Sequence, residues 1–327
     1  MPSSHTVRIL PHERSISVAE DVPVLTAAQL AGIPLPHSCR SGRCGSCRAR
    51  LLSGRIEYRD GPPPGLSPRE TREGFVLLCQ ALARSDLVVE ARGVTRPAST
   101  EVRIVPARIA RREPLSAAVM RLTLRLPGAE VMEFQAGQYL DVLLEGGRRR
   151  SYSVANAPNA GGELELHVRH VPGGAFSEPL FSSLREGAVL KIEGPLGQFR
   201  YEGGPQPAIF IAGGSGFAPI GALLGQALSE DSRCDLHLFW GAREAADMYE
   251  DGRVRNWAAR HTRLTVHRQC TGRVHEAVLA AHPDLAPFAI YAAGPPAMIE
   301  AIRHTFPAHS AQLQHLSLES FDYAVDP

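Results

Sequence analysis

Hydrophobic and polar positions follow three different patterns along the chain, and each pattern predicts its own kind of fold. In about the first ninety residues, one helical stretch at 24–33 lies among short β-like runs at 6–10, 48–52 and 87–91. Residues 94–100 have the composition of a linker. We therefore place the first domain boundary between residues 97 and 98.

The middle stretch, from 101 to about 201, has strand patterns with little helix. These patterns lie at 119–126, 138–144, 163–171 and 189–193, and glycine and proline turns separate them. Regular short strands of this kind predict an antiparallel barrel or sandwich. Gly203, Gly204 and Pro205 interrupt the pattern, so we place the second boundary between residues 203 and 204.

After residue 207, buried strands alternate with helices. The strand patterns lie at 208–212, 236–240, 264–267 and 288–292, and helical patterns follow them at 217–228, 251–260, 274–281 and 297–306. This alternation predicts a parallel sheet with helices on both of its faces. The predicted domains are therefore 1–97, 98–203 and 204–327.

Composition places the chain among ordinary globular proteins. Its 327 residues are 44% hydrophobic and 21% charged, which excludes the disordered and fibrous classes and suits two or three domains. The net charge of +1 gives no electrostatic reason to expect a nucleic-acid partner. Residues 203–229 lack charge, but the glycines and proline in their middle predict a strand, a loop and a helix rather than a membrane span. We expect a cytoplasmic protein. The sequence does not specify its oligomeric state, and it is compatible with a monomer.

Four of the six cysteines have the spacing of an iron–sulfur site. Cys39, Cys44 and Cys47 are separated by four and two residues, and Cys79 follows after another thirty-one. This is the plant-type ferredoxin spacing for a [2Fe–2S] cluster, whereas structural zinc favours two matched Cys-x2-Cys pairs. Glycines within the loop allow the backbone to wrap closely, so that N–H groups can point at sulfur. The spacing predicts that these four residues are the cluster ligands.

A candidate flavin site follows a strand in the middle stretch, where the chain reads Arg150, Ser151, Tyr152, Ser153. A flavin dinucleotide needs a cation at its pyrophosphate, an aromatic face at its ring and a hydroxyl near its reactive nitrogen. Arg150 and Tyr152 share one face of the strand, because side chains alternate with a period of two. The glycine-rich turn at 173–177, before a predicted helix, is suited to phosphate.

Two glycine-containing turns are candidate contacts for a nicotinamide nucleotide. Each joins a strand to a helix, a geometry that brings backbone N–H groups and the helix dipole to a pyrophosphate. The first turn does not have the Gly-x-Gly-x-x-Gly fingerprint. The residues concerned are Gly213, Gly214, Ser215 and Gly216 in the first turn, and Ala293, Gly294 and Pro295 in the second.

The choice between NADH and NADPH depends on the segment after the second strand of this stretch, where an adenosine ribose would lie. Arg243 could attract a 2′-phosphate, whereas Glu244 and Asp247 would oppose one. We therefore expect NADH, with NADPH the less favoured alternative.

Together these motifs resemble the ferredoxin–NADP reductase superfamily over essentially the whole chain. The resemblance implies a β-grasp plant-type ferredoxin domain, an antiparallel β-barrel domain for FAD and a parallel-sheet domain for the nicotinamide. It implies that Arg150 binds the pyrophosphate, that Tyr152 packs on the isoalloxazine and that Ser153 hydrogen-bonds near its N5. Further cofactor contacts implied by the resemblance are Val168, Gly174, Phe176 and Ser177, with Glu319 or Phe321 at the chain end.

The chain departs from the superfamily pattern at two positions beside the nicotinamide. Ala293 stands where the family often has cysteine, which predicts a slower or differently positioned hydride transfer. Ser215 replaces the usual threonine and keeps the hydroxyl.

The order of cluster, flavin and nicotinamide motifs resembles the reductase components of bacterial multicomponent oxygenases and the reductases of deoxysugar synthesis. Residues 148–171 are most similar to reductases of the CDP-6-deoxy-Δ3,4-glucoseen reductase type. A nicotinamide gives two electrons as hydride, a [2Fe–2S] centre accepts one at a time, and a flavin does both. We therefore predict electron flow from NADH through FAD and the cluster to a separate protein, either a deoxysugar dehydrase or an oxygenase component.

Two further expectations concern the partner and the alternative class of function. Arg40 and Arg43 lie within the cysteine loop, which favours an electron acceptor with an acidic surface. A redox-sensing module that does not turn over is the alternative from outside the enzyme class.

Overall fold

The computed structural model describes residues 3–11, 13–33, 35–37, 39–91, 102–128, 130–159, 161–230 and 234–321. The chain forms two compact units, one of Met1–Ser99 with Leu318–Ser320 and the other of Thr100–Ser317 with Phe321–Pro327. The predicted linker at 94–100, and with it the boundary between 97 and 98, lies outside the described residues.

A mixed sheet and a short helix form the first unit. Its elements are β1 (Ser4–Leu10), β2 (Arg14–Ala19), α1 (Val24–Leu30), β3 (Arg48–Ser53), β4 (Ile56–Glu57), α2 (Pro68–Arg72), β5 (Phe75–Leu77), β6 (Leu82–Ala83) and β7 (Leu87–Glu90). The main sheet has the order β2-β1-β7-β3-β5, with β1 antiparallel to β2 and parallel to β7. Alternate residues of β1, Val7 and Ile9, are buried in the core together with Leu25 of α1. This is the expected β-grasp arrangement.

An antiparallel barrel opens the second unit. Its elements are β8 (Arg103–Ser116), β9 (Val119–Arg125), β10 (Tyr139–Leu143), β11 (Arg149–Ser153), β12 (Leu164–Arg169), α3 (Ser177–Ser182) and β13 (Val189–Leu196). The strand order is β11-β10-β13-β8-β9-β12, and a bridge between Val154 and Leu166 joins the two ends of the sheet. The closed sheet distinguishes a barrel from a sandwich, and its interior is lined by residues such as Leu122, Val142 and Ile192.

A parallel sheet with alternating helices follows in the same unit. Its elements are β14 (Ala208–Gly213), α4 (Phe217–Ser229), β15 (Leu236–Gly241), α5 (Asp251–Arg260), β16 (Leu264–Gln269), α6 (Val274–Ala281), β17 (Ala289–Gly294) and α7 (Pro296–Thr305). The last strand, β18 (Leu316–Ser320), begins in this unit, and its residues from Leu318 onward are grouped with the first unit. The strands β14 to β17 have the order β16-β15-β14-β17 and run parallel. The chain passes from β14 to β15 on one side of it, and β17 later pairs with β14 on the other side. Such a reversal of direction opens a crevice at the carboxyl ends of the strands.

Every stretch interpreted above as strand or helix carries that element, with ends shifted by a few residues. The uncharged segment at 203–229 contains β14, a turn and α4, and among the described residues no helix is long and apolar enough to cross a membrane. The fourteen-residue strand β8 was not predicted. It contains several arginines, and two irregularities in its pairing with β9 break the simple alternation of the strand.

Candidate functional site: a cysteine loop, a barrel strand and two glycine turns

The four cysteines of the ferredoxin spacing come together in the first unit as two pairs of thiols. Cys39, Cys44 and Cys47 lie on the loop between α1 and β3, and Cys79 follows β5. Cys44, Cys47 and Cys79 are at most 5% exposed. The thiol of Cys39 is in hydrogen-bond contact with that of Cys44, and the thiol of Cys47 with that of Cys79. Two thiol pairs fit a binuclear centre, in which four thiolates are shared between two irons.

The electrostatics of these thiols suit a cationic occupant. A hydrogen bond from the Cys44 thiol, helped by backbone N–H groups, lowers the pKa of Cys39 to about 5. Contact with the partner sulfur and burial raise the pKa of Cys44 and of Cys47. The backbone N–H of Cys44 points at Cys39 Sγ over 3.3 Å, and that of Ser46 at Cys44 Sγ over 3.4 Å. The loop therefore already directs N–H dipoles at sulfur, which stabilises thiolate charge when iron displaces the protons.

Contacts from a neighbouring proline-rich loop hold the cysteine loop in shape. The Gly65 N–H donates to the Gly42 carbonyl oxygen over 2.8 Å, and a Cβ on Gly65 would lie 2.6 Å from that oxygen. A Cβ on Gly42, whose φ is +74°, would lie 2.7 Å from Pro63 Cβ. The Gln80 side-chain amide donates to the Arg40 carbonyl oxygen over 2.7 Å. Sequence reasoning did not identify this loop as a neighbour of the cysteine loop.

The candidate flavin residues lie on β11 at the edge of the barrel sheet. Arg150 and Tyr152 are half-buried on one face of the strand, and the Tyr152 ring centroid is 5.4 Å from that of Phe176. Burial raises the pKa of Tyr152, so the phenol stays neutral. Ser153 is 5% exposed, and its Oγ has no hydrogen-bond partner in the described part of the chain. Because a buried hydroxyl without a partner costs about 1–3 kcal/mol, a hydrogen bond between Ser153 Oγ and a ligand atom would be stabilising. The residues present therefore fit a flavin.

A buried carboxylate fixes the register of this edge strand. Asp141 of β10 is 2% exposed and lies opposite Ser151, which donates a hydrogen bond to Asp141 Oδ1 over 2.6 Å. Arg149 contacts Glu193 of β13 and lies 3.7 Å from Asp141 Oδ2. Since a slip of one residue would move Arg150 and Tyr152 to the other face, these contacts determine the direction in which both side chains point. Sequence reasoning missed Asp141.

The glycine-rich turn before α3 offers its backbone rather than its side chains. Val168 and Phe176 are at most 2% exposed and belong to the barrel core. The Ser177 hydroxyl is already bonded to the backbone N–H and carbonyl oxygen of Val171, both over 3.1 Å. A Cβ on Gly174 would lie 2.5 Å from Ser177 Oγ, so the turn is compact. A phosphate role for these residues stays a prediction.

The two glycine turns of the nucleotide motif meet at the carboxyl edge of the parallel sheet. Strands β14 and β17 are neighbours and pair Ala212 with Ala293. A Cβ on Gly216 would lie 2.6 Å from the carbonyl carbon of Ala293 and closer still to its oxygen. A Cβ on Gly213 would lie 2.7 Å from Met298 Sδ at the start of α7. The glycines are therefore required by packing between the turns, and Ala293, fully buried, contributes its carbonyl to that contact.

The remaining candidate nucleotide residues lie at the same edge. Gly241 at the end of β15 pairs with Gly213, so Arg243 follows two residues beyond this edge. Arg243 and Glu244 are exposed, and Asp247 is half-buried. These positions agree with a role beside an adenosine ribose, which stays a prediction.

The chain end also reaches the second glycine turn. The Phe321 N–H donates to the Gly294 carbonyl oxygen over 3.0 Å, and the half-buried Phe321 ring packs against the core of this part. Glu319 is 4% exposed. Pro295 is the N-cap residue of α7, and Ser215 lies in a short 3₁₀ turn before α4. Residues 322–327 lie outside the described residues.

One charged cluster was missed altogether by the sequence reasoning. Glu165, His167 and Glu250 bring possible ligand atoms within 4.8 Å of one another, although Glu250 is remote in sequence. No sequence signal announces this cluster, since strand pairing and helix placement bring it together.

Family models match three segments of the chain. A 2Fe-2S iron-sulfur cluster binding domain matches residues 7–84, an oxidoreductase FAD-binding domain residues 106–201, and an oxidoreductase NAD-binding domain residues 210–304. All three matches contain the motifs described above.

Relatives and solved structures cover nearly the full chain. It is 34% identical over 296 residues to the CDP-6-deoxy-L-threo-D-glycero-4-hexulose-3-dehydrase reductase of Yersinia pestis, which covers 88% of this chain and 89% of that protein. It is 36% identical over 303 residues to the ferredoxin–NAD(+) reductase component of the alkene monooxygenase system of Xanthobacter autotrophicus, covering 88% and 92%. The Amycolatopsis cytochrome P450 reductase GcoB superposes with a TM-score of 0.76 and 30% identity, covering 97% and 98% of the two chains.

Proposed function

We propose a specific task for this chain, which belongs to the family of reductases that combine a [2Fe–2S] ferredoxin domain with FAD- and NAD-binding domains. In this proposal, NADH reduces the flavin, and the cluster passes single electrons to the dehydrase of a CDP-deoxysugar. The presence of all three redox domains in one chain carries the redox scheme, and the 34% identity to a CDP-6-deoxyhexulose dehydrase reductase favours a dehydrase as the acceptor.

The predicted redox chemistry is confirmed at the level of the family. The chain is an oxidoreductase that transfers electrons, with FAD, a nicotinamide nucleotide and a [2Fe–2S] cluster as its cofactors. The match to the cluster-binding domain sets aside the structural zinc alternative. The relatives described above are reductases or reductase components by name, which disfavours the redox-sensing module. A cytoplasmic location and the domain boundaries remain predictions.

The chain's own residues have distinct tasks in this scheme. FAD, when bound, accepts a hydride and releases electrons one at a time. The Arg150 guanidinium supplies the cation for its pyrophosphate, and Tyr152 supplies a neutral aromatic face. The Ser153 hydroxyl, buried without a partner among the described residues, supplies a hydrogen bond near the reactive nitrogen. The packed turns around Gly216 and Ala293 present backbone at the carboxyl edge of the sheet, where the nucleotide is expected.

The charge around the cysteine loop supports an acidic electron acceptor. Arg40 and Arg43 are half-buried beside the candidate ligands, so their charges act close to the site of electron exit. Replacement of both by glutamine should slow reduction of the acceptor protein, and the difference should shrink as ionic strength rises, because salt screens exposed charges. Reduction of the flavin by NADH, which does not involve the acceptor surface, serves as the control and should change little.

An oxygenase component is the second candidate acceptor. The 36% identity to the reductase component of an alkene monooxygenase system favours it directly. Both candidates share the route from NADH to the cluster and differ only in the protein that accepts the electrons, which surfaces rather than motifs specify.

The deciding experiment supplies the reconstituted protein with NADH and a candidate acceptor. We expect NADH-dependent turnover by a CDP-4-keto-6-deoxyhexose dehydrase and little support for an alkene or aromatic oxygenase. The Cys79→Ser variant is the matched control, because it should keep flavin reduction by NADH and lose electron delivery. Turnover of only the oxygenase would contradict the dehydrase assignment, and a strong preference for NADPH would contradict the choice of nucleotide.

A further inference from the structure

A buried ionic network joins the flavin-binding barrel to the nucleotide-binding sheet inside the second unit. Glu165 and His167 lie on β12, Arg121 lies on the neighbouring β9, and Glu250 immediately precedes α5. The His167 side chain is fully buried, and that of Glu250 is 6% exposed. Charged and polar groups are rarely buried in this way unless they are mutually paired, so the network has a structural or functional purpose.

The contacts within the network are close and cross between the two folds. His167 Nε2 lies 2.8 Å from Glu165 Oε1 and 3.9 Å from Glu250 Oε1. The Arg121 guanidinium contacts Glu250 Oε1, and its Nε lies 3.4 Å from Glu165 Oε1. A second guanidinium, that of Arg253 on α5, lies 3.5 Å from the same Glu165 oxygen. Two carboxylates are thus held by two arginines and one histidine.

The other nitrogen of His167 continues the network towards the first glycine turn. A carboxylate only accepts, so Nε2 carries the proton and Nδ1 faces the Tyr249 hydroxyl over 3.3 Å. The Tyr249 ring packs edge-on against Trp240, with centroids 5.7 Å apart. The Trp240 indole N–H donates to the Gly214 carbonyl oxygen over 3.3 Å. A continuous set of contacts therefore connects β12 with the turn that we assign to the nucleotide.

The geometry of β12 places a second contact on the same turn. Residues 165, 167 and 169 alternate along the strand and share one face. The Arg169 guanidinium, at the third of these positions, lies 3.6 Å from the point where a side chain on Gly214 would begin. Val168, between two of these residues, lies on the opposite face of the strand, in the barrel core, and is a predicted flavin contact. One short strand thus touches both candidate cofactor sites, with its two faces.

A metal ion is the competing occupant of the cluster, since Glu165, His167 and Glu250 offer three ligands. The guanidinium groups of Arg121 and Arg253 already hold the oxygens that a cation would use. Binding a cation between them would add positive charge beside two arginines, which electrostatics opposes. The network is therefore better explained as a connection between the two folds.

We propose that Glu250 and His167 are positioning residues that fix the nucleotide-binding turn relative to the flavin-binding strands. Hydride transfer needs reacting atoms about 3–3.5 Å apart, and a misplacement of about 1 Å can cost about 10²-fold in rate. The network acts by holding the two folds in one arrangement. The proposal rests on the NADH-to-flavin step of the proposed function and is independent of the electron acceptor.

The test compares Glu250→Gln with a matched ion-pair variant, Glu163→Gln. Glu163 immediately precedes β12 and pairs with Arg125 at the end of β9, on the more exposed surface of the barrel. Stopped-flow measurement of flavin bleaching against NADH concentration separates the limiting rate from the apparent dissociation constant. We expect Glu250→Gln to lower the limiting rate by about 10- to 100-fold, with a change in dissociation constant below about threefold. The Glu163→Gln variant should match the wild type in both.

A second readout does not depend on turnover. Amide hydrogen exchange of the flavin-free protein should accelerate at residues 164–169 and 249–256 in Glu250→Gln and stay unchanged in Glu163→Gln, because local opening follows the loss of tertiary contacts. If Glu250→Gln does not fold, Tyr249→Phe tests the proposal instead, because it removes one hydroxyl and leaves no buried charge without a partner. We expect it to slow the limiting rate by about three- to tenfold, without loss of bound flavin.

Three results would overturn the proposal. One is a limiting rate within twofold of wild type in a folded Glu250→Gln protein. If only Tyr249→Phe folds, the equivalent result is an unchanged limiting rate in that variant. Another is stoichiometric zinc bound by the wild type and lost in Glu250→Gln, which would make the cluster a metal site. The third is an equal slowing in Glu163→Gln, which would show a general effect of charge. If NADH fails to reduce the flavin of the wild-type protein, the proposed function fails instead.

Discussion

Replacement of Gly216 by alanine tests the packing of the two nucleotide turns directly. Gly216 has a φ of −60°, which any residue adopts, so the substitution adds a methyl group without backbone strain. That methyl carbon would lie 2.6 Å from the carbonyl carbon of Ala293, whereas ordinary contacts of this kind are at 3.4–4 Å. The turns must therefore separate by about 1 Å. The obstacle is backbone in a central pair of strands, which cannot rotate away as a side chain can.

The size of the effect follows from that displacement. Overpacking of a close-packed site costs about 1–3 kcal/mol, and a shift of about 1 Å in a positioned substrate can cost about 10²-fold in rate. We expect Gly216→Ala to lower the unfolding midpoint of the second unit by several degrees, and to reduce kcat/KM for NADH by about 10²-fold. Flavin and cluster absorbance should be unchanged, because neither site contains Gly216.

Differential scanning calorimetry and steady-state ferricyanide reduction with NADH measure the two effects. Gly252→Ala is the control, because this glycine lies within α5 and a Cβ there meets nothing within 4 Å. Removing a helical glycine stabilises by about 1 kcal/mol, so the control should shift in the opposite direction. A Gly216→Ala protein with a wild-type midpoint and kcat/KM would refute the contact between the turns.

Three further predictions address the flavin strand and the effect of pH. Ser153→Ala removes a buried hydroxyl that has no partner among the described residues, so the flavin-free protein should be at least as stable as the wild type. FAD-dependent hydride transfer should slow in this variant. Calorimetry measures the first change and stopped-flow absorbance measures the second. Asp141→Asn weakens the hydrogen bond from Ser151 and should lower FAD affinity about tenfold, measured by fluorescence titration, and an unchanged affinity would contradict the register argument. Burial, and then the nearby charge of His267, lower the pKa of His282, so its contribution to stability is present above its unfolded pKa of 6.5 and is lost as pH falls through the folded pKa. His282→Phe should therefore flatten the decline of the unfolding midpoint between about pH 7 and pH 5, and an unaltered slope would exclude this histidine as the cause.

Local patterns made much of the candidate site predictable. The spacing of Cys39, Cys44 and Cys47 predicted a cluster-binding loop, and the structure places all three on one loop between α1 and β3. Arg150 and Tyr152 could be placed on one strand face from their separation alone. The alternation of strands and helices after residue 207 was enough for a parallel sheet, because a right-handed crossover leaves few other topologies.

The sequence by itself thus determined the class of each domain and the residue types of each redox site, since these depend on periodicity and short spacings. Only the tertiary structure decided how distant segments meet. Arg121 and Glu250 are 129 residues apart, His167 and Tyr249 are 82 apart, and their contacts depend on how the barrel packs against the sheet. The need for glycine at Gly216 likewise arises from a neighbouring strand, not from its own backbone conformation. Short-range geometry is written into spacing, whereas burial, pairing of charge and steric fit exist only once the chain has packed.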